Sequence, residues 1–161
     1  VVNVKTDDSN VERLNRWVAA IRMAEEKPTF GWGPGTYMFQ YAPYQASYLR
    51  TLESSNLGQK GNAHSEYLGL MAEAGWPGVL GYISILLLVF YRGFKLLKLH
   101  SSINERFLVL GALIGLSTYV FHGILNNFLD MDKIAVIFWG YIAFIVAMDV
   151  KYRFTETRSQ E

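Results

Sequence analysis

The stretch FLVLGALIGLSTYVFHGIL, Phe107–Leu125, decides the fold class of this chain of 161 residues. From Phe107 to Leu129 there is no Asp, Glu, Lys or Arg, and the one histidine is His122. A helix needs roughly 17–25 mostly apolar residues to cross about 30 Å of hydrocarbon. The stretch therefore predicts a membrane-spanning helix.

Two further apolar runs lie on either side, at 77–98 and 134–150. Three such runs in a buried helical hairpin would make too large a dry core for a soluble protein of this length. The sequence predicts an all-α polytopic membrane protein, with an external helical loop over 1–75 and spans at about 77–98, 107–125 and 134–150. Because the chain begins without methionine or a signal-peptide pattern, we expect it to be the C-terminal part of a longer membrane protein.

The charges between the runs predict their orientation. The link 92–106 holds four basic residues and one acidic residue, and the tail after 150 is also basic. Short cytoplasmic loops are enriched in Lys and Arg. The link 92–106 and the C-terminal tail are therefore expected in the cytoplasm, and the link 126–133 and segment 1–75 outside.

Composition excludes several kinds of site and partner. The chain has no cysteine, so it has neither disulfides nor thiolate metal ligands. It lacks an HExxH motif, and its histidines, His64, His100 and His122, fall in different segments. A formal charge of +1 argues against a nucleic-acid surface. We expect no metal, no cofactor and no nucleic-acid partner.

An amphipathic helix is predicted before Pro28. Ser9-Asn10-Val11-Glu12 matches a capping box, in which the Glu12 carboxylate would bind the Ser9 amide. The expected buried face carries apolar residues at helical spacing: Val11, Leu14, Trp17, Val18 and Ile21. Arg13 and Arg16 lie on the other face, where Arg16 is equally well explained as a solvated surface residue.

Pro28–Gly35 is a compact turn with glycines at alternate positions, which lets another chain segment or a ligand approach closely. It is not a phosphate-binding P-loop, because no Gly-Lys-Ser/Thr follows. The next stretch is rich in aromatic residues that suit either a membrane interface or the faces of sugars: Tyr37, Phe39, Tyr41, Tyr44 and Tyr48.

The stretch Asn62–Tyr67 brings a titratable histidine to a short helix, expected over 64–74 and ended by Gly75. Residues 53–63 are expected to form a loop that leads to it. His64 can give or take a proton near neutral pH. A lone histidine is more often structural than catalytic, so both readings stay open on these residues alone.

Three motifs together resemble the O-antigen ligase/O-antigen polymerase superfamily. They are Arg13-x-x-x-Trp17, Pro28-x-x-Gly31-x-Gly33-x-Gly35, and Ala63-His64-Ser65-Glu66-Tyr67-Leu68 with Glu73-x-Gly75. The stretches 121–128 and 137–139 also look like the C-terminal region of that family. One departure is Ser65, where many relatives carry Asn.

The resemblance implies a metal-independent, inverting glycosyltransferase of the bacterial inner membrane, surrounded by membrane lipids, with 1–75 in the periplasm. Its donor would be a polyprenyl-diphosphate-linked glycan, and its acceptor a lipid A-core sugar or a growing glycan. The family histidine maps onto His64 as the catalytic base, and the family arginine onto Arg13 as the diphosphate ligand. Arg16 would be a second, weaker diphosphate ligand. Candidates for a supporting role are Gly33, Gly35, Glu66, Tyr67 and His122.

Other functions remain open at this point. Within the superfamily they are an O-antigen or exopolysaccharide polymerase and a protein O-oligosaccharyltransferase. The alternative outside the superfamily is a transporter or a structural membrane subunit. Transporters place polar or broken-helix features at the bilayer midplane, whereas Gly111, Gly115 and Ser117 are better interpreted as close-packing residues.

Overall fold

The computed structural model describes residues 8–51, 54, 61–99 and 102–158. All regular structure in these ranges is helical, which confirms the all-α prediction. The helices are α1 (Asp8–Glu26), α2 (Tyr37–Gln40), α3 (Glu66–Leu99), α4 (Ile103–His122) and α5 (Asp132–Arg158), with single 3₁₀ turns at Ala42–Tyr44 and Ser47–Leu49. Most of the loop expected over 53–63, and also His100, lie outside the described residues.

The chain forms two compact units. The first contains residues Val1–Gly81 together with Gly123–Asn127. The second contains Tyr82–His122 and Phe128–Glu161. α3 contributes to both units, since its first part lies before Gly81 and the rest after it.

Three helices, α3, α4 and α5, are long and apolar enough to cross a membrane. They coincide with the three apolar runs, although their bounds differ from the predicted ones. α3 contains a residue with non-helical angles, Gly75 (φ 64°, ψ −165°), which separates the segment after His64 from the apolar run. α4 ends at His122, before the apolar run does, because the carbonyl of Gly123 accepts a hydrogen bond from the first unit instead.

The core of the second unit is a continuous apolar cluster that includes Leu96, Leu116, Phe138 and Ile145, each almost inaccessible to solvent. Close packing at Gly115 is confirmed, because a Cβ there would lie 2.5 Å from the Tyr141 ring. The same expectation for Gly111 was wrong, since a Cβ there would meet no described atom within 4 Å.

One end of this helical bundle is joined by ion pairs between helices. Arg92 of α3 donates from Nε to Asp149 of α5 at 3.1 Å, and Arg153 contacts the same carboxylate at 3.0 Å. Lys151 of α5 pairs with Glu105 of α4 at 2.8 Å. Arg92, which belongs both to the predicted span 77–98 and to the basic link 92–106, therefore lies inside α3 and connects it to α5.

In the first unit, the predicted orientation of α1 was wrong. Leu14 and Ile21, expected inside, are 40% and 41% exposed. The buried face instead carries charged, polar and small residues: Glu12, Asn15, Arg16, Ala19, Ala20, Met23 and Ala24. The periodicity argument assumes that polar side chains face water, but here they are buried with hydrogen-bond partners.

Candidate functional site

Two backbone segments of the first unit approach closely, Pro28–Gly33 and Ala72–Trp76. We call this pairing the glycine junction. Three hydrogen bonds join it: Trp32 N to Ala72 O (3.0 Å), Gly33 N to Glu73 O (2.8 Å) and Trp76 N to Pro28 O (2.9 Å). The turn and the Glu73-x-Gly75 motif are therefore two sides of one structure.

The glycines of the junction are required sterically. A Cβ on Gly31 would lie 2.4 Å from the Glu73 backbone, and one on Gly75 would lie 2.5 Å from the carbonyls of Pro28 and Thr29. Both glycines also have positive φ, a conformation that side chains disfavour. It is another segment of the same chain that approaches these glycines.

The Glu73 side chain extends the junction to the rest of the turn. Its carboxylate accepts hydrogen bonds from Gly35 N and Tyr37 N, both at 2.9 Å. Gly33 and Gly35, named from the sequence as supporting candidates, both donate their N–H groups to Glu73: Gly33 to its backbone carbonyl and Gly35 to its side-chain carboxylate. They position the turn and α2 beside the α3 segment that follows His64.

A buried ion pair lies on the inner face of α1. Arg16 donates from Nε to Glu12 at 2.8 Å, and the two side chains are 7% and 5% exposed. Glu12 also accepts hydrogen bonds from Ser54 and Thr51. Its carboxylate therefore neutralises Arg16 and binds the chain that leads toward His64. Ser9, the predicted N-cap residue of the capping box, lies inside α1, which begins at Asp8.

The Arg16 side chain also contacts residues other than Glu12. Its guanidinium contacts the Asn62 carbonyl at 3.4 Å and lies 5.1 Å from the centroid of the Tyr41 ring. A Cβ on Gly61 would lie 1.2 Å from Arg16 Nη1, so the guanidinium occupies the space that this glycine leaves. The interpretation of Arg16 as a solvated surface residue was wrong.

His64 lies two residues before α3, with a left-handed backbone (φ 49°). Its N–H donates to Asn62 Oδ1 at 3.1 Å, and its carbonyl accepts a hydrogen bond from Trp17 Nε1 at 3.1 Å. Both bonds use backbone atoms, so they hold the residue without engaging its ring. The Trp17 contact explains why the spacing Arg13-x-x-x-Trp17 matters: one helical turn separates the two side chains, and both lie on the His64 side of α1.

The residues after His64 are held by a distant segment of the first unit. Ser65 N donates to Asn127 Oδ1 at 2.7 Å, and Glu66 N donates to Gly123 O at 2.8 Å. Ser65 itself is 2% exposed. These N–H groups precede the first intrahelical bonds of α3 and therefore need partners from elsewhere.

The environment of His64 favours its neutral form. Partial burial lowers the pKa of His64, and the positive charges of Arg16 and Arg13 lower it further, while Glu12 acts in the opposite direction. Arg13 is half-buried, and its Nε is buried without a hydrogen-bond partner among the described residues. A neutral imidazole thus lies near a cation that has an unused donor.

The remaining candidates occupy different places. Glu66 and Tyr67 are partly buried in the first turn of α3, immediately after His64. His122 ends α4 in the second unit, where its Nδ1 lies 2.9 Å from the Thr118 carbonyl. It lines an open cavity of about 320 Å³ with Thr118, Tyr119, Phe128 and Ile134.

A family model described as O-antigen ligase matches residues 2–83, half of the chain, and spans Arg13, the glycine junction and His64. The chain belongs to the O-antigen ligase family. The three candidate membrane-spanning helices make it a membrane protein of that family. Comparison with curated proteins and with solved structures gave no match.

Sequence reasoning missed the residues that hold this site in place. The sequence indicates a helix-cap role for Glu12 and no role for Asn127, which lies in the link 126–133. The Asn62-x-His64 spacing is a usable signal, since Asn side chains often bind a backbone N–H two residues on. No local pattern indicates that Asn127 pairs with Ser65, because their distance along the chain hides the contact.

Proposed function

We propose that this chain carries the catalytic loop of a glycosyltransferase that moves a glycan from a polyprenyl-diphosphate carrier to an acceptor hydroxyl, on the periplasmic face of the inner membrane. The family match supports a glycosyltransferase-like enzyme. The observation that supports the specific reaction is that Arg13, whose Nε has no partner among the described residues, acts electrostatically on His64 and helps to lower its pKa.

In the proposed reaction, His64 acts as the general base. The acceptor oxygen attacks the anomeric carbon as its proton passes to the His64 imidazole. The bond from that carbon to the diphosphate oxygen breaks, and the electron pair leaves with the diphosphate; attack from the opposite face inverts the anomeric centre. The proton is then released from His64 to solvent. Base assistance of this kind contributes about 10²–10⁴-fold to rate.

Arg13 is proposed to bind the diphosphate and to stabilise the negative charge that it gains on leaving. A guanidinium offers a planar set of donors that matches phosphate oxygens. Arg16, named from the sequence as a second ligand, has its Nε bound to Glu12. We therefore assign the diphosphate contact to Arg13 and a supporting role to Arg16. Because diphosphate is already a good leaving group, we propose that the transfer is metal-independent.

The test is His64→Ala in the complete protein, assayed for glycan transfer in membranes. We expect at least about a 10²-fold loss of transfer with unchanged membrane abundance, because the base is removed. Glu25→Ala is the matched control, since Glu25 is exposed on α1, and it should leave transfer intact. Transfer by His64→Ala near the wild-type level would overturn the proposed role.

The acceptor is proposed to be a lipid A-core sugar. A strain lacking the gene would then accumulate lipid-linked polymer and lose all long-chain lipopolysaccharide. Cores that carry a single repeat would indicate a polymerase instead, and loss of protein-bound glycan would indicate a protein O-oligosaccharyltransferase. An unaltered glycan pattern would favour a transporter of other cargo or a structural membrane subunit.

A further inference from the structure

The connection between α4 and α5 binds the two residues that follow His64, although it is distant from them in the sequence. Asn127 Oδ1 accepts the N–H of Ser65, and the Gly123 carbonyl accepts the N–H of Glu66. Asn127 thus binds the N–H of Ser65, the N-cap residue of α3, although it lies 62 residues away along the chain. A side-chain oxygen at this position satisfies a backbone donor that the helix itself cannot.

The conformation of His64 makes this contact important. Its left-handed backbone (φ 49°) is unfavourable for a residue other than glycine. Such a conformation persists only where surrounding contacts determine it. Asn62 binds the N–H of His64 and Trp17 binds its carbonyl, while Asn127 binds the next N–H along the chain, that of Ser65.

The Asn127 amide fits closely against α3. A Cβ placed on Gly69 would lie 3.0 Å from Asn127 Nδ2. Glycine at 69 therefore leaves room for the amide, one turn beyond the N–H that it binds. The carboxamide is held on two sides, by the Ser65 N–H and by the surface of α3 at Gly69, so it defines the direction in which the chain enters the helix.

From these contacts we infer that Asn127 is a positioning residue for His64: it holds the turn that directs the imidazole. The inference rests on the proposed function, in which His64 is the base. Asn127 lies outside the matched family region, in the connection between α4 and α5. The inference therefore adds a residue from that connection to those that support glycan transfer. Displacement of a catalytic group by about 1 Å costs on the order of 10²-fold in rate.

The test compares Asn127→Ala and Asn127→Asp with wild type in the complete protein, and Asn126→Ala is the matched control. Asn127→Ala removes the acceptor, and we expect kcat to fall about 10²-fold with little change in KM. Asn127→Asp keeps an acceptor for Ser65 N–H and adds a negative charge near His64. It should restore kcat at alkaline pH and move the acid limb of the rate profile to higher pH.

The sign of that shift follows from the groups around His64. The charges that act on its pKa are Arg16, Arg13 and Glu12, all on α1. A new carboxylate would act in the same direction as Glu12, raising the pKa. If Asn127→Ala does not accumulate in membranes, the kcat of Asn127→Asp at alkaline pH decides the question. A value near wild type is expected, because the acceptor for Ser65 N–H is kept, and a loss as large as that of His64→Ala would overturn the inference.

Unchanged kcat in Asn127→Ala, or an unshifted acid limb in Asn127→Asp, would overturn the inference. His64→Ala, measured in the same assay, separates this failure from that of the proposed function. If His64→Ala is inactive while Asn127→Ala behaves as wild type, only the positioning role fails. If His64→Ala transfers glycan normally, the proposed function itself fails.

Discussion

The protonation state of His64 is set by its burial and by two arginines of α1. Burial and the charges of Arg16 and Arg13 lower its pKa, against a smaller opposite effect of Glu12. A base must be neutral to accept a proton, so a lowered pKa keeps His64 competent in mildly acidic solution. The same shift lowers the free energy of unfolding at low pH. As the pH falls below about 6.5, the ordinary pKa of histidine, His64 binds a proton in the unfolded chain at a higher pH than in the folded protein, and this favours the unfolded state.

The acid limb of kcat/KM should therefore have its midpoint below about pH 6.5, the ordinary value for histidine. Activity should fall only as the pH drops through the pKa that His64 has in the folded protein. The measurement is the pH profile of transfer in the complete enzyme. The residual activity of His64→Gln should lack this limb. A wild-type midpoint at or above the ordinary value would contradict the effect of burial and the arginines.

Arg13 and Arg16 are three residues apart, but their substitution should affect different properties: glycan transfer for Arg13 and stability for Arg16. Arg13→Lys should lower kcat/KM by roughly 10–10²-fold, since one ammonium replaces the guanidinium hydrogen bonds to the diphosphate. Arg16→Ala should instead destabilise the protein by about 3–5 kcal/mol, because it leaves Glu12 buried without its partner. The measurements are transfer kinetics and thermal unfolding of the solubilised protein.

The matched pair for this comparison is Arg13→Ala and Arg16→Ala in the same unfolding assay. Arg13 Nε has no hydrogen-bond partner among the described residues, so Arg13→Ala should change stability little. A large loss of stability in Arg13→Ala with none in Arg16→Ala would reverse the two assignments.

At the scale of elements, the glycine junction should be intolerant of any added side chain. Gly31→Ala should destabilise the protein by more than about 2 kcal/mol, since it adds a backbone clash to an unfavourable φ. Gly35→Ala should cost about 1–2 kcal/mol, because it has the positive φ but open space around it. The measurement is thermal unfolding of each solubilised variant.

Gly81→Ala is the control for this series. Gly81 lies in α3, without positive φ and with no described atom within 4 Å of an added Cβ. Its substitution should not destabilise the protein and should raise stability by up to about 1 kcal/mol, because alanine favours the helix more than glycine does. Equal effects of Gly31→Ala and Gly81→Ala would mean that the close approach of the two segments does not stabilise the protein.

Helix positions were predictable from the sequence, whereas the inner face of α1 was not. Pro28 correctly indicated where α1 stops, and Gly75 where the segment after His64 is interrupted. The predicted buried face of α1 was wrong because hydrophobic spacing identifies the buried face only when the polar side chains stay in water. Asn15, fully buried, binds the Gln45 side chain and the Ala46 N–H, so its burial depends on a partner 30 residues away that no local pattern identifies.

At the scale of the whole molecule, the composition of each run predicted the class of fold, but the division into units required the structure. Length and hydropathy identify three candidate spans. They give no indication that Gly123–Asn127, between two spans, belongs with the unit that contains His64. The His64 and Arg13 candidates came from motifs, while Asn127 came from tertiary contact. Candidate catalytic residues can be recognised from local sequence motifs, whereas the residues that position them often cannot.

The orientation of the chain can be tested with thiol labelling, since the sequence contains no cysteine and each introduced thiol is the only one in it. The basic link 92–106 and the basic tail are proposed to face the cytoplasm. Four exposed positions sample the four segments: Glu25, Lys98, Met131 and Thr157. A maleimide that cannot cross the inner membrane should label cysteine at 25 and 131 in intact spheroplasts.

Cysteine at 98 and 157 should react only after the membrane is permeabilised with detergent. The unsubstituted chain gives the background, and labelling in detergent shows that every thiol is accessible. Labelling of 98 and 157 from outside, with 25 and 131 protected, would invert the topology. His64 lies in the same segment as residue 25, so that result would place the proposed base in the cytoplasm, on the side of the membrane opposite to the lipid-linked glycan that it is proposed to use.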